Sequence, residues 1–332
     1  MTLAVSAAGA GLGYALAFPA HLLTGPALLV SALALIGVRM EIVPLVRDLA
    51  FLVIGIGIGS TVTDEATAAM LRWPMAFAAL AVSLLVTMGL CQLVLQRGFG
   101  FDRRSAVLAS APGHLSFVIS LSALLDVDTL RVTVVQSVRL LALTLLVPVI
   151  ARAMGVEISA QPLAGLGTMS WAAFFGLMAG SLVVGLILQR LRMPAALLIG
   201  AMVTSAVAHG AGHVTGGLSA PLALMSFVTL GGLIGTRFSG ISLSALRNAA
   251  GAGLAITLVA CAVAFLAAIP VSVALGMQPA TVLAAFAPGG FETMIALGAV
   301  LGANPGFVAA CHVARLLILT VLIPLSLRQR RF

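Results

Sequence analysis

The chain has 332 residues, of which 61% are hydrophobic and 8% charged, and a mean hydropathy of +1.22. An ordinary soluble domain carries roughly 25% charged residues, so a soluble fold cannot hide this much apolar surface. The formal net charge of +8 comes from 17 basic residues, all of them Arg and scattered at helix ends instead of clustered on one face, which argues against direct nucleic-acid binding.

Apolar segments fall at about residues 3–20, 24–39, 48–62, 73–96, 105–125 and 130–151, then at 168–189, 194–209, 221–236, 248–270, 279–301 and 305–327. At about 20 residues per span, they predict an all-α polytopic membrane protein of about 10–12 transmembrane helices, with the lipid bilayer as its surroundings. The first basic residue is Arg39, so the opening run lacks the charged start of a signal peptide and the first helix is expected to be retained. Cys91, Cys261 and Cys311 each sit alone in an apolar run, as small hydrophobes do.

The two sets of segments share order and spacing. A shift of 176 positions carries Ala111-Pro112-Gly113 onto Ala287-Pro288-Gly289, Arg139 onto Arg315, Thr144 onto Thr320 and Pro148 onto Pro324. Over 111–148 against 287–324, 15 of 38 positions are identical without a gap. Chance in this composition would give roughly 4, so the chain is a duplication. The expected division is 1–155 for the first membrane repeat and 156–332 for the second.

Arg placement sets orientation. Counting each segment as one crossing, Arg39, Arg47, Arg97, Arg103, Arg104 and Arg152 fall on one side with the N-terminus, taken as cytoplasmic, and Arg72 and Arg131 on the other. Arg190, Arg192 and Arg247 favour the opposite orientation for the second half, whereas Arg328, Arg330 and Arg331 favour the same one. Six crossings per half would make the repeats parallel; an odd number would invert them.

The fifth segment of each half is interrupted, first as Ser110-Ala-Pro112-Gly113-His114 and again as Phe286-Ala-Pro288-Gly289-Gly290-Phe-Glu292. Proline removes a backbone donor and glycine tolerates unusual φ, so the helix is expected to break there. Inside a membrane, unpaired backbone groups are tolerated only where protein or a wet cavity encloses them, and paired breaks in two repeats point to a transporter substrate site. Glu292 follows the second break by one turn and is a candidate proton carrier; its counterpart is Ser116. Arg139 and Arg315 lie near mid-membrane, where they could bind an anion, pair with Glu292 or hold the unwound carbonyls. His312 sits one turn before Arg315, as Gln136 does before Arg139, and His114 follows the first break. Asn304, Asp126 and Asp128 read as caps. His209 and His213 are spaced as a helical metal pair would be, but the Gly-Ala-Gly between them reads as a loop, and no metal or other cofactor is expected.

Ala287-Pro-Gly-Gly-Phe-Glu-Thr-Met294, followed by Leu301-Gly-Ala-Asn304 and His312-Val-Ala-Arg-Leu-Leu317, resembles the signature of the AbrB family of bacterial membrane proteins, and Arg192-Met-Pro-Ala-Ala-Leu-Leu-Ile-Gly-Ala201 resembles its short second helix. The first copy departs from that pattern at His114 and Ser116. The resemblance implies a duplicated membrane fold, distantly similar to those of cation/proton antiporters and bile-acid symporters, and hence inverted repeats. It also brings labels such as regulator of gene expression and ammonia monooxygenase. The second would need metal ligands that this sequence does not group, and nothing here resembles an enzyme motif.

The sequence therefore points to a multi-pass protein of the inner (cytoplasmic) membrane. The leading expectation is a secondary transporter for a small anionic or polar solute, coupled to protons or another cation. A membrane-embedded regulator or scaffold without transport is the alternative. Solute, coupling ion and homo-oligomeric association stay open at this stage. The residues expected to bind solute or ion are Pro112, Gly113, His114, Ser116, Arg139, Pro288, Gly289, Gly290, Glu292, Asn304, His312 and Arg315.

Overall fold

A computed structural model gives the fold for residues 1–61, 73–112, 115–125, 127–158, 163 and 167–328. In the first half the helices are α1 (Thr2–Ala15), α2 (His21–Leu35), α3 (Pro44–Gly59), α4 (Trp73–Phe99), α5 (Arg103–Ser110), α6 (Leu115–Leu124) and α7 (Thr129–Ala153). In the second they are α8 (Trp171–Arg190), α9 (Ala196–Gly210), α10 (Ala220–Thr236), α11 (Leu243–Leu275), α12 (Pro279–Phe286), α13 (Phe291–Val300) and α14 (Pro305–Arg328). Five of them, α4, α7, α8, α11 and α14, are long and apolar enough to cross a membrane by length and composition. The ends of α12 and α13 stand 176 residues beyond those of α5 and α6.

Local chemistry explains several of these ends. Asp102 caps α5 by accepting from the Arg104 and Ser105 amides, and Asp128 caps α7 by accepting from Arg131 N. Gly276, at φ 64°, ends α11 in the left-handed conformation that a side chain resists. Ala111 and Ala287 have ψ 115° and 128°. A residue before proline is driven out of the α region, so each break begins there.

The helix directions show how the two halves are related. Cys91 of α4 lies 3.6 Å from the Ile256 carbonyl of α11, and a methyl group on Gly251 would meet the Phe99 ring at 3.3 Å. Rising numbers on α4 therefore meet falling numbers on α11. Two counterpart helices packed antiparallel mean that the second half is inverted with respect to the first. The other pairings agree: α2 runs parallel to α10, with Gly231 against Leu23 and Gly235 against Val30, and α3 runs parallel to α9, with Gly55 against Leu198 and Gly59 against Ser205.

Inversion needs an odd number of crossings per half; with the shorter helices α1–α3 counted as crossings beside α4 and α7, the broken segment supplies it by not crossing. Arg131, in the first turn of α7, donates to the Phe99 carbonyl at 2.7 Å, and its guanidinium carbon sits 3.8 Å from the Phe101 ring centroid. An arginine side chain reaches a few ångströms, whereas the hydrocarbon core is about 30 Å thick. The chain thus enters through α5 and returns through α6 to the face it left. At about 1.5 Å per residue, the 8 residues of α5 and 10 of α6 reach roughly 12 and 15 Å, half the membrane. At the far end of α7, Arg152 Nη1 lies 3.4 Å from the carbonyl of Ala17, just beyond α1, so α1 and α7 end on the same face.

The re-entrant hairpin corrects the sidedness read from the sequence. Counting the fifth segment as a crossing separated Arg131 from Arg97, Arg103 and Arg104 and grouped Arg152 with them; the structure exchanges the two. Arg39, Arg47, Arg97, Arg103, Arg104, Arg131, Arg190, Arg192, Arg237 and Arg247 then share one face and Arg152 lies at the other, while Arg72 falls outside the described residues. In vesicles of defined orientation, an impermeant maleimide is expected to label Arg104→Cys and Asp128→Cys from one side and Glu157→Cys from the other. Labelling of Asp128→Cys together with Glu157→Cys would make the hairpin a crossing. The native Cys91, Cys261 and Cys311 are buried and unpaired.

Packing divides the molecule into two bodies, each drawn from both halves. Helices α1–α3 pack with α8–α10, and α4–α7 pack with α11–α14. The bodies meet chiefly where α7 and α13 touch α2, α3 and α10.

Candidate functional site

The buried arginines serve the breaks. Arg139 is 1% exposed; its Nη2 donates to the Ala111 carbonyl at 3.2 Å and to Gln136 Oε1, and its Nη1 lies 3.5 Å from the Ala109 carbonyl. Gln136 Nε2 donates to the Leu108 and Ala111 carbonyls, both at 2.9 Å. In the other half Arg315, also 1% exposed, donates from Nη2 to the Ala285 carbonyl at 2.8 Å. The last carbonyls of a helix have no partner within it and carry the negative end of its dipole. A guanidinium at the end of α5 and another at the end of α12 answer both needs at mid-membrane depth. The ion pairs among the described residues are Arg39–Glu41 and Arg47–Asp48 at the Arg-rich face; Glu292 pairs with neither buried arginine.

A cavity of about 490 Å³ separates the two bodies, lined by Gln136, Arg139 and Leu140 of α7, Gly290, Phe291 and Glu292 at the tip of the α12–α13 hairpin, and Val313, Leu316, Leu317 and Thr320 of α14. Its opposite wall is Arg192, Met193, Pro194, Ala195 and Arg237. An adjoining space of about 610 Å³ shares Met193, Ala195, Arg237 and Glu292 and adds Arg47, Asp48, Phe51 and Gln189. Together they lead from the Arg-rich face to the hairpin tip. No side chain caps α13, so its first-turn amides lie at the cavity without an intrahelical acceptor. A further cavity of about 810 Å³, lined by Tyr14, His21, Arg152 and Glu157 among others, lies at the opposite face, away from both breaks.

The structure gathers Arg139, Gly290 and Glu292 around this space. Pro112, Pro288 and Gly289 are buried behind it; the Gly289 amide donates to the Ala287 carbonyl at 2.9 Å, and a methyl group there would sit 2.5 Å from Met294 Cε. Asn304 accepts from Phe307 N at 3.0 Å and caps α14. His312 Nδ1 bonds the Val308 carbonyl at 2.9 Å, and the ring stands edge-on to Phe291, outside the cavity lining. Gly113, His114 and Asp126 lie outside the described residues, and of Ser116 only the backbone, in the first turn of α6, is described. The two ring nitrogens of His209 lie against the Ser205 and Gly216 carbonyls, at 2.8 and 3.0 Å. No group of three metal-ligating side chains occurs among the described residues.

Sequence reasoning missed Arg192, Arg237, Arg47 and Gln189 as cavity residues. They come from separate helix ends, and nothing in the local sequence distinguishes them from the arginines that anchor helices at the interface.

These features define a multi-pass, inverted-repeat membrane protein with a re-entrant helical hairpin, its counterpart in the second repeat, and a basic cavity that runs from the Arg-rich face to the tip of that counterpart. The family model described as "Transition state regulatory protein AbrB" matches residues 1–331, and the chain belongs to the AbrB family. It is similar to YhjN of Bacillus subtilis (strain 168), described as an uncharacterized protein, at 30% identity over 261 residues, covering 74% of this chain and 68% of the relative.

Proposed function

We propose that this protein is a secondary transporter of the cytoplasmic membrane that moves a small anionic or polar solute, coupled to protons or another ion. The observation carrying this reading is the cavity that reaches from the Arg-rich face to the uncapped tip of the α12–α13 hairpin, between two bodies in limited contact. By the positive-inside rule that face is cytoplasmic.

Inverted repeats give such a site a second access route. When the halves exchange conformations, the cavity closes at the Arg-rich face and its pseudo-symmetric counterpart opens at the other, next to the α5–α6 hairpin. Gly290 presents backbone at the solute, Arg139 contributes positive charge, Glu292 carries the coupling proton, and Arg315 holds the second hairpin in shape. No chemical transformation is assigned to the chain. The regulatory wording of the family description belongs to a different class of function, a scaffold that moves nothing.

Uptake into vesicles reconstituted with the purified protein tests the reading. A panel of anions, amino acids and cations should yield one transported class, with a rate that depends on pH in the wild type and loses that dependence in Glu292→Gln. Unchanged pH dependence in Glu292→Gln would remove the coupling role, and a panel with no transport would favour the scaffold.

A further inference from the structure

We infer that the cavity takes a small monocarboxylate with an apolar body, bound together with one proton. This rests on reading the cavity as the solute site. Three guanidiniums, Arg139, Arg192 and Arg237, line it against one carboxylate, Glu292, so its excess charge is positive. The first-turn amides of Phe291 and Glu292, which no side chain caps, belong to residues that line the same space, at the positive end of the α13 dipole. Arg139 lines the cavity with its Nη donors held by the α5 carbonyls and Gln136, so it offers the site its charge and not a free donor. Apart from Gln136 and Thr320 the remaining side chains of the wall are apolar, Leu140, Phe291, Leu316 and Leu317 among them. A carboxylate at the amides and Arg237, in the positive field of Arg139, with an aliphatic or aromatic body against those side chains, uses both parts of the site. About 490 Å³ is an ordinary size for a small-molecule pocket and leaves no reason to invoke a large ligand.

Glu292 explains the proton. It projects from the first turn of α13, beside the amides that would hold the anion, so ionised Glu292 repels a bound carboxylate and protonated Glu292 does not. The spaces it lines also hold Arg47 and Asp48 of α3, Arg139 of α7, Arg192 beyond α8 and Arg237 beyond α10, while His312 of α14 stands edge-on to Phe291 and Arg315 follows one turn further along α14. One proton entering with one carboxylate leaves the net charge of the site unchanged, which makes the transported unit electroneutral.

The test uses the full-length protein in detergent, with benzoate and hexanoate as probes and hexylamine, succinate and glucose as controls. Ligands that bind the native state raise its thermal midpoint. The two monocarboxylates are expected to do so and the controls are not. Arg237→Gln, which lies at the cavity wall away from the carbonyls that Arg139 holds, should weaken hexanoate binding about tenfold, and Glu292→Gln should tighten it several-fold above neutral pH. An unliganded midpoint close to wild type shows that each variant is folded. In vesicles, hexanoate uptake should be insensitive to an imposed membrane potential. Binding of hexylamine in place of hexanoate, or weaker hexanoate binding by Glu292→Gln, overturns the assignment. Uptake of another solute class without carboxylate binding overturns it while leaving the transporter reading intact, whereas carboxylate binding without any uptake does the reverse.

Discussion

Replacing Gly55, Gly59, Gly231 or Gly235 by alanine is expected to lower the thermal midpoint of the purified protein substantially, whereas Gly89→Ala should raise it slightly. A methyl group on Gly55 would lie 2.5 Å from the Leu198 carbonyl oxygen, and one on Gly59 would lie 2.6 Å from Ser205 Cβ. One on Gly231 would lie 2.6 Å from the Leu23 carbonyl oxygen, and one on Gly235 would lie 2.6 Å from Val30 Cβ. The contacts are largely with backbone, which cannot rotate away, so α3 must separate from α9, or α10 from α2. Overpacking of this kind costs about 1–3 kcal/mol per site. Membrane helices associate through close backbone approach at small residues, because lipid is as apolar as leucine, so these helix pairs have little to replace the lost packing. The Ser205 hydroxyl, which donates to the Ile56 carbonyl at 2.7 Å across the α3–α9 seam, would be strained by the same displacement. Gly89 is exposed on α4 and has no neighbour within 4 Å of an added methyl group, so alanine there gains about 0.5–1 kcal/mol of helix propensity. Thermal unfolding of the five variants in one detergent checks the ranking. Equal midpoints for Gly89→Ala and Gly59→Ala would mean that the seams are not close-packed.

The second large effect is asymmetric. Arg315→Leu is expected to destabilise the protein more than Arg139→Leu, although the two residues are repeat counterparts. In the first half, Gln136 Nε2 donates to the Leu108 and Ala111 carbonyls, so the end of α5 retains a donor when Arg139 is removed. In the second half the place of Gln136 is taken by His312, whose Nδ1 is turned to Val308 of its own helix. The Ala285 carbonyl then has Arg315 alone among the hydrogen bonds of the described residues. A buried carbonyl left without a donor costs about 1–3 kcal/mol, and removing a second donor that is backed by a first costs less. Arg315→Lys, which keeps one long donor, should recover part of the loss, while Arg139→Lys cannot reach Ala109, Ala111 and Gln136 at once. Midpoints for the four variants decide it, and a larger loss in Arg139→Leu than in Arg315→Leu would contradict this account of the carbonyls.

The candidate site was legible only in part. Glu292, Gly290 and Arg139 stood out because an acid, a helix break and a guanidinium inside apolar runs are each costly in a membrane. Asn304 and His312 stood out for the same polarity but serve their own helices, one as a cap and the other with its ring on a backbone carbonyl. Polarity in an apolar segment marks a residue that must be satisfied; it does not say whether the partner is backbone or solute. Arg192 and Arg237 passed as interface anchors because only the packing of α10 and the α8–α9 turn against α7 and α13 turns them towards the cavity.

By itself the sequence determined that the protein is an all-α membrane protein, that it is a duplication with a period of 176 residues, and that each copy breaks at Ala-Pro-Gly. Composition, internal identity and the stereochemistry of proline are local properties and need no tertiary information. Only the tertiary structure decided that the broken segment turns back. About 20 apolar residues can form one spanning helix or two half-length helices in a hairpin, and hydropathy is the same for both. The contacts of Arg131 with Phe99 and Phe101 make the difference, joining residues that a crossing would hold a membrane's thickness apart. Fixing that one turn fixes the parity of each half, the inversion of the repeats, the gathering of the described helix-end arginines, all but Arg152, on one face, and the cavity between the two bodies.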